Sequence, residues 1–91
     1  MTVAIVGGGP AGLSAALFTA KNGLETVVFD TDGTWMHKAH LFNYPGIGSI
    51  DGSDYMGILR DQVDDFGVER HEAEVTDVSQ DGDGFTVTAD G

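Results

Sequence analysis

The chain opens on four apolar residues in a row, Val3-Ala4-Ile5-Val6, and breaks at once into Gly7-Gly8-Gly9-Pro10. A run that is apolar without alternation predicts a buried strand of a parallel sheet over residues 2–6. Residues 10–22 then read as a helix. Pro10 suits a first helical position, because its φ is already helical and its missing N–H would have no partner there. Ala11, Ala15 and Ala16 are small enough for close approach to a sheet, while Leu13, Leu17 and Ala20 add apolar surface. Gly23 is expected in the left-handed conformation that closes a helix. A second apolar run, Thr26-Val27-Val28-Phe29, stops at Asp30 and predicts a strand over 24–30.

Residues 31–50 show no period and are expected to be mostly loop. A loop of about twenty residues is uncommon in a compact domain and is usually functional. It carries the single tryptophan, Trp35, together with His37, His40 and Phe42-Asn43-Tyr44-Pro45-Gly46. Asp51 is placed as the N-cap of a helix reaching Phe66, with Gly67 as its stop. Tyr55, Leu59, Val63 and Phe66 share one face of that helix, and Met56 and Ile58 widen the stripe. Asp54, Arg60, Asp61, Asp64 and Asp65 read as its solvated side. Residues 67–71 fit a third strand, made an edge by Glu69 and Arg70. Val75–Val78 and Phe85–Thr88 alternate around Asp81-Gly82-Asp83-Gly84, a turn signal, and predict a hairpin over about 74–89. The fold class expected is α/β: a Rossmann-like parallel sheet of about three strands with a C-terminal antiparallel hairpin. Residues 1–91 form one domain, expected to be incomplete.

Strand, glycine turn, helix, strand and acid is the arrangement that grips the pyrophosphate of a dinucleotide. Gly7 lets the chain turn off the strand. Gly9 leaves the backbone open to a pyrophosphate, and Gly12 lets the helix lie tight against the strand. The helix N-terminus offers unpaired N–H groups and a partial positive charge, so it attracts phosphate without a lysine. Asp30 lies where an acid would accept from ribose hydroxyls. The competing reading of the same residues is a glycine-rich turn that is purely structural.

Composition narrows the function classes. Fifteen Asp and Glu stand against 4 Lys and Arg, a net charge of −11. Nucleic acid needs clustered basic residues, so it is excluded as a partner, and an anionic membrane surface is excluded with it. Such an acidic, lysine-poor chain suits molar salt, where screening removes the self-repulsion, or else an ordinary acidic cytoplasmic setting. There is no cysteine, which rules out disulfides, thiolate metal sites and thiol redox chemistry within these residues. No apolar run approaches the roughly 20 residues of a membrane span. Nor does the start resemble a signal peptide, so the expected location is cytoplasmic. His37 and His40, with His71 remote in sequence, fall short of the three or four converging ligands of a metal site. No metal is expected, and His40 as an acid–base group beside a cofactor is a minor alternative.

The segment Val3 to Ala16, then Phe29-Asp30, then Asn43-Tyr44-Pro45-Gly46, then Asp65-Phe66-Gly67, resembles the N-terminal FAD-binding region of thioredoxin reductase-like flavoproteins. These belong to the pyridine nucleotide-disulfide oxidoreductases. The resemblance covers essentially the whole chain. It implies FAD as cofactor, with the turn Gly7, Gly9, Pro10, Ala11 and Gly12 on the pyrophosphate. It further implies Asp30 on the adenosine ribose, where the family usually has Glu. Asn43 would lie at the flavin end, and Val75 would meet the adenine through its backbone. Gly33-Thr34-Trp35-Met36 stands where the family has a Gly-Gly-Gln-Leu-like segment. The family's NADPH domain and Cys-x-x-Cys pair have no counterpart here, so NAD(P)H is a partner reductant without a site in this chain. A further parallel strand of the family would lie beside residues 2–6. Without it that edge is expected to be covered by more polypeptide or by a second copy of the chain. Three readings follow: the FAD-binding part of a flavin-dependent oxidoreductase, an NAD(P)-binding domain of the same topology, and a non-catalytic nucleotide-binding or structural remnant. Disulfide reduction by these residues alone is excluded under all three.

Overall fold

A computed structural model describes residues 1–42, 45, 46 and 48–90, the side chain of Trp35 excepted. In chain order it contains β1 (Thr2–Val6), α1 (Pro10–Lys21), β2 (Glu25–Asp30), a 3₁₀ turn (Trp35–Lys38), β3 (His40–Leu41) and β4 (Ile50–Asp51). Then come α2 (Gly52–Asp65), β5 (Glu69–Glu72), β6 (Glu74–Asp81) and β7 (Gly84–Asp90). β1, β2 and β5 form a parallel sheet in the order β1-β2-β5, with Val3 opposite Thr26 and Val28 opposite Arg70. The α/β class, the parallel sheet and the hairpin of the sequence reading are all present.

Both helices close in the same way. Gly23, at φ +82°, donates to Ala20 O at 3.0 Å, and Leu24 donates to Thr19 O at 3.1 Å. Gly67, at φ +78°, and Val68 repeat these bonds to Asp64 O and Val63 O. This Schellman pairing satisfies carbonyls that a helix end leaves open and needs a left-handed residue, supplied by glycine.

The core is a single layer between the sheet and the two helices. Leu13, Ala16, Val28, Tyr55, Met56, Leu59, Val63 and Val68 are buried there. Thr26 is the buried polar residue of β2. Its hydroxyl is satisfied by Thr19 Oγ1 at 2.7 Å and Leu24 O at 3.0 Å, which ties α1 to the sheet. Ala16 is buried, whereas Ala11 and Ala15 face solvent, so only one of the three small residues serves helix–sheet approach.

Several expectations are corrected. β1 is not buried on both faces: Val3 and Ile5 are half-buried, but Thr2, Ala4 and Val6 are exposed. The helices cover one face of the sheet only, and β1 is its edge. On α2, Ile58 is 47% and Phe66 52% exposed. By the 100° step of a helix, Ile58 sits about 120° from the middle of the buried stripe. Phe66 is the C-cap, one residue beyond the last helical residue, Asp65, and the chain turns off the helix at Gly67 directly after it. Asp51 takes the N-cap position but makes no side-chain capping bond, because its carboxylate is engaged by His40 instead. Residues 31–50 are less irregular than expected, since β3 and β4 pair antiparallel there.

Gly52 marks the tightest junction outside the glycine turn. A Cβ built on it would fall 1.6 Å from Met36 O, and its amide donates to Ala39 O at 2.9 Å. The start of α2 is therefore packed directly on the backbone of the 3₁₀ turn, which fixes the loop that follows β2.

Candidate nucleotide-binding site

The glycine turn is built as its spacing predicts. Gly7 has φ +103°, a conformation that a side chain would strain, and its amide donates to Phe29 O at 2.8 Å. A Cβ on Gly12 would lie 1.9 Å from Gly7 O, so α1 rests against the backbone of the turn it leaves. Gly9 is the N-cap of α1 and Pro10 its first residue. The first amide drawn into the helical ladder is that of Leu13, which donates to Gly9 O at 2.9 Å. The amides before it, on Ala11 and Gly12, are those that a helix N-terminus leaves for a ligand.

The turn opens on a cleft of about 430 Å³, walled opposite Gly7–Gly9 by Gly33, Thr34 and Met36. A side chain beginning at Gly9 would start 3.3 Å from Thr34 Oγ1. Thr34 Oγ1 accepts from Met36 N at 3.2 Å, which leaves its own proton for an acceptor in the cleft. Thr34 was not identified from the sequence as a site residue. Its position is set by the 3₁₀ turn, which carries no hydrophobic period.

Asp30 lies at the end of β2, on the wall shared by this cleft and a second, polar one of about 380 Å³. Its Oδ1 accepts from Gly8 N at 3.2 Å and from Asp32 N at 3.0 Å. A Cβ on Gly8 would come within 2.4 Å of the Asp30 carboxylate. Gly8, an unassigned glycine in the sequence reading, is thus needed for the acid rather than for a ligand. Oδ2 faces the second cleft, with Arg60 Nη2 at 3.7 Å.

Around Asp30 the loop is held by charge. Asp32 adopts φ +59°, uncommon for any residue but glycine, asparagine or aspartate. Its carboxylate is bonded to His37 Nε2 at 2.7 Å and to Arg60 Nη2. The hydrogen bond from His37, then that from Arg60, hold Asp32 below its usual pKa. His37 Nδ1 pairs with Ser53 Oγ at 2.7 Å, bracing the loop against the first turn of α2. His40 bridges Asp51 and Ser49 in the same manner, both at 2.6 Å. Both loop histidines therefore have structural partners. Among the described residues no three His, Cys, Asp or Glu side chains converge as metal ligands.

On the far side of the polar cleft, Arg70 makes a two-point pair with Asp64, both contacts 2.8 Å, which depresses the Asp64 pKa and raises that of Arg70. His71 stacks on Phe29, ring centres 5.6 Å apart. Ala73 N donates to Asp30 O at 3.0 Å, so the β6–β7 hairpin leaves the sheet directly from Asp30. Val75 lies two residues further, opposite Ala89 and just before a bulge at Thr76.

The structure thus brings Gly7, Gly9, Pro10, Ala11, Gly12 and Asp30 together at one end of the sheet, with Val75 at the root of the hairpin, two residues past the Ala73 bond to Asp30. Asn43, assigned to the flavin end, lies outside the described residues, as does Tyr44. No helix among the described residues is long and apolar enough to cross a membrane.

Comparison with known proteins agrees with this geometry. The family model described as pyridine nucleotide-disulphide oxidoreductase matches residues 1–91. A thioredoxin reductase of Streptomyces clavuligerus is 40% identical over 91 residues, covering 94% of this chain and 28% of that protein. One from Aquifex aeolicus is 38% identical over 85 residues, covering 87% of this chain and 26% of its own. Among solved structures, a thioredoxin reductase from Gloeobacter violaceus superposes with a TM-score of 0.87 at 35% identity, covering 97% of this chain and 29% of that one. The chain spans under a third of the length of these relatives.

Proposed function

Since the chain belongs to the pyridine nucleotide-disulphide oxidoreductase family, we propose that it is the FAD-binding part of a flavin-dependent oxidoreductase resembling thioredoxin reductase. The observation that carries this reading is the glycine turn. α1 starts at Gly9-Pro10, Gly7–Gly9 line a cleft, and Asp30 lines it beside them, bonded to Gly8 N. The residues present fit the group. Gly7, Gly9, Pro10, Ala11 and Gly12 would hold the diphosphate, with Thr34 donating to it. Asp30 Oδ2 would accept from the adenosine ribose, and Val75 would meet the adenine through its backbone. Asn43 would contact the flavin end.

When bound, FAD supplies the redox chemistry. The chain's own residues bind and orient it. Backbone amides and the α1 dipole offset the diphosphate charge in a protein that is otherwise strongly acidic. With no cysteine among the 91 residues, thiol–disulfide exchange requires groups from elsewhere, and no site for NAD(P)H is assigned here. Residues 1–91 act as a single, partial FAD-binding domain, working in the cytoplasm of a salt-accumulating cell; the charge of −11 with so few lysines supports the salt reading. The open edge of β1, bearing exposed Val6, is covered by polypeptide beyond these residues or by a second copy.

The test is to purify the protein in high salt and record its absorption spectrum before and after adding FAD. Flavin bands at about one FAD per chain are expected, displaced by ADP. NADH binding without colour would move the assignment to a nicotinamide-binding domain, and binding of neither would leave a structural remnant.

A further inference from the structure

We propose that Arg60 is the positioning residue of the adenosine end, holding the Asp30 carboxylate ready for the ribose hydroxyls; this rests on the FAD reading above. Only four basic side chains occur in the chain, and Arg60 is directed into the polar cleft at the end of β2. Its Nη2 donates to Asp32 Oδ1 and lies 3.7 Å from Asp30 Oδ2. That second separation is too long for a hydrogen bond, so the lone pairs of Oδ2 remain open to a ligand. Oδ1, by contrast, is spent on the amides of Gly8 and Asp32.

The division of labour follows from these contacts. Two carboxylates, Asp30 and Asp32, lie within reach of one guanidinium, and the Asp30 and Arg60 side chains are only 22% and 24% exposed. Without a cation between them the carboxylates repel, and a half-buried acid loses the group that offsets its desolvation. Asp32 sits at positive φ in the loop that also carries Thr34, so releasing it loosens the wall opposite Gly9. Arg60 is anchored on α2, a rigid element whose start is packed on the 3₁₀ turn through Gly52. It therefore couples α2 to the acid that ends β2 without touching the diphosphate site.

The experiment is calorimetric titration of the purified protein with ADP and with 2′,3′-dideoxy-ADP, for wild type, Arg60→Gln, Arg60→Lys and Asp32→Asn. Wild type is expected to prefer ADP, because only ADP presents hydroxyls to Asp30. Arg60→Gln should weaken ADP by about fivefold or more, the scale of a charge-assisted contact, and pull the two affinities together. Arg60→Lys should restore most of the preference. Asp32→Asn, which lowers the repulsion without removing the guanidinium, should keep it. A preference unchanged in Arg60→Gln, with ADP still bound, overturns the role of Arg60 and leaves the FAD reading intact. A wild-type protein that binds neither nucleotide overturns both. Equal loss for both nucleotides in Arg60→Gln overturns the positioning role in favour of a general structural one.

Discussion

Gly12 is constrained at its Cα by the close approach of α1 to the turn. With a Cβ only 1.9 Å from Gly7 O, an alanine forces α1 away from the turn. Gly12→Ala is expected to cost about 3 kcal/mol in denaturant unfolding, the upper range of overpacking, and to abolish nucleotide binding. Asp64 offers a test at the same scale. The two-point hydrogen bond from Arg70 holds its pKa below the ordinary 3.8, so the folded chain favours the ionised form. That contribution is fully present above about pH 4 and is lost as the pH falls through the lower folded value. Asp64→Asn should therefore show a shallower fall of Tm between about pH 4 and pH 2 than wild type; parallel curves would remove the pair from the account. At this scale the constraints on Gly7 and Gly12 were legible, because backbone geometry restricts what can stand there. Arg60 and Thr34 were not legible. Arg60 read as solvated helix surface, and only its rarity in an acidic chain hinted at more.

At the scale of elements, α2 tests how far periodicity reaches. Tyr55, Met56, Leu59 and Val63 were legible as its apolar face and are buried, whereas Ile58 and Phe66 are not. Met56 is fully buried between α2 and the rest of the core. Met56→Ala should cost about 2–5 kcal/mol in chemical denaturation, and Ile58→Ser under about 1 kcal/mol. Comparable losses would mean that the helix is rotated from the arrangement described. The helix stops at Gly23 and Gly67 were legible because each demands a left-handed residue. The β3–β4 ladder was not, since two residues per strand carry no alternation. The burial expected of β1 failed because composition records what a strand can bury, whereas the residues here cover only one of its faces.

The whole molecule is drawn out, at 46 × 27 × 18 Å. Its Cα radius of gyration, 14.2 Å, exceeds the roughly 12 Å of a compact chain of this length. The β6–β7 hairpin accounts for the excess, since it projects from Asp30 with Val78 and Phe85 exposed. Together with the bare edge of β1, this leaves apolar surface exposed away from the end of the sheet where the proposed binding site lies. Backbone amide chemical shifts during an ADP titration in high salt test most directly whether nucleotide binds at the glycine turn. The amides of Gly9, Ala11 and Gly12 should move first and furthest, followed by those of Gly8 and Asp32 as the Asp30 carboxylate responds. Shifts clustered elsewhere, or none at these glycines under saturating ADP, would contradict the account.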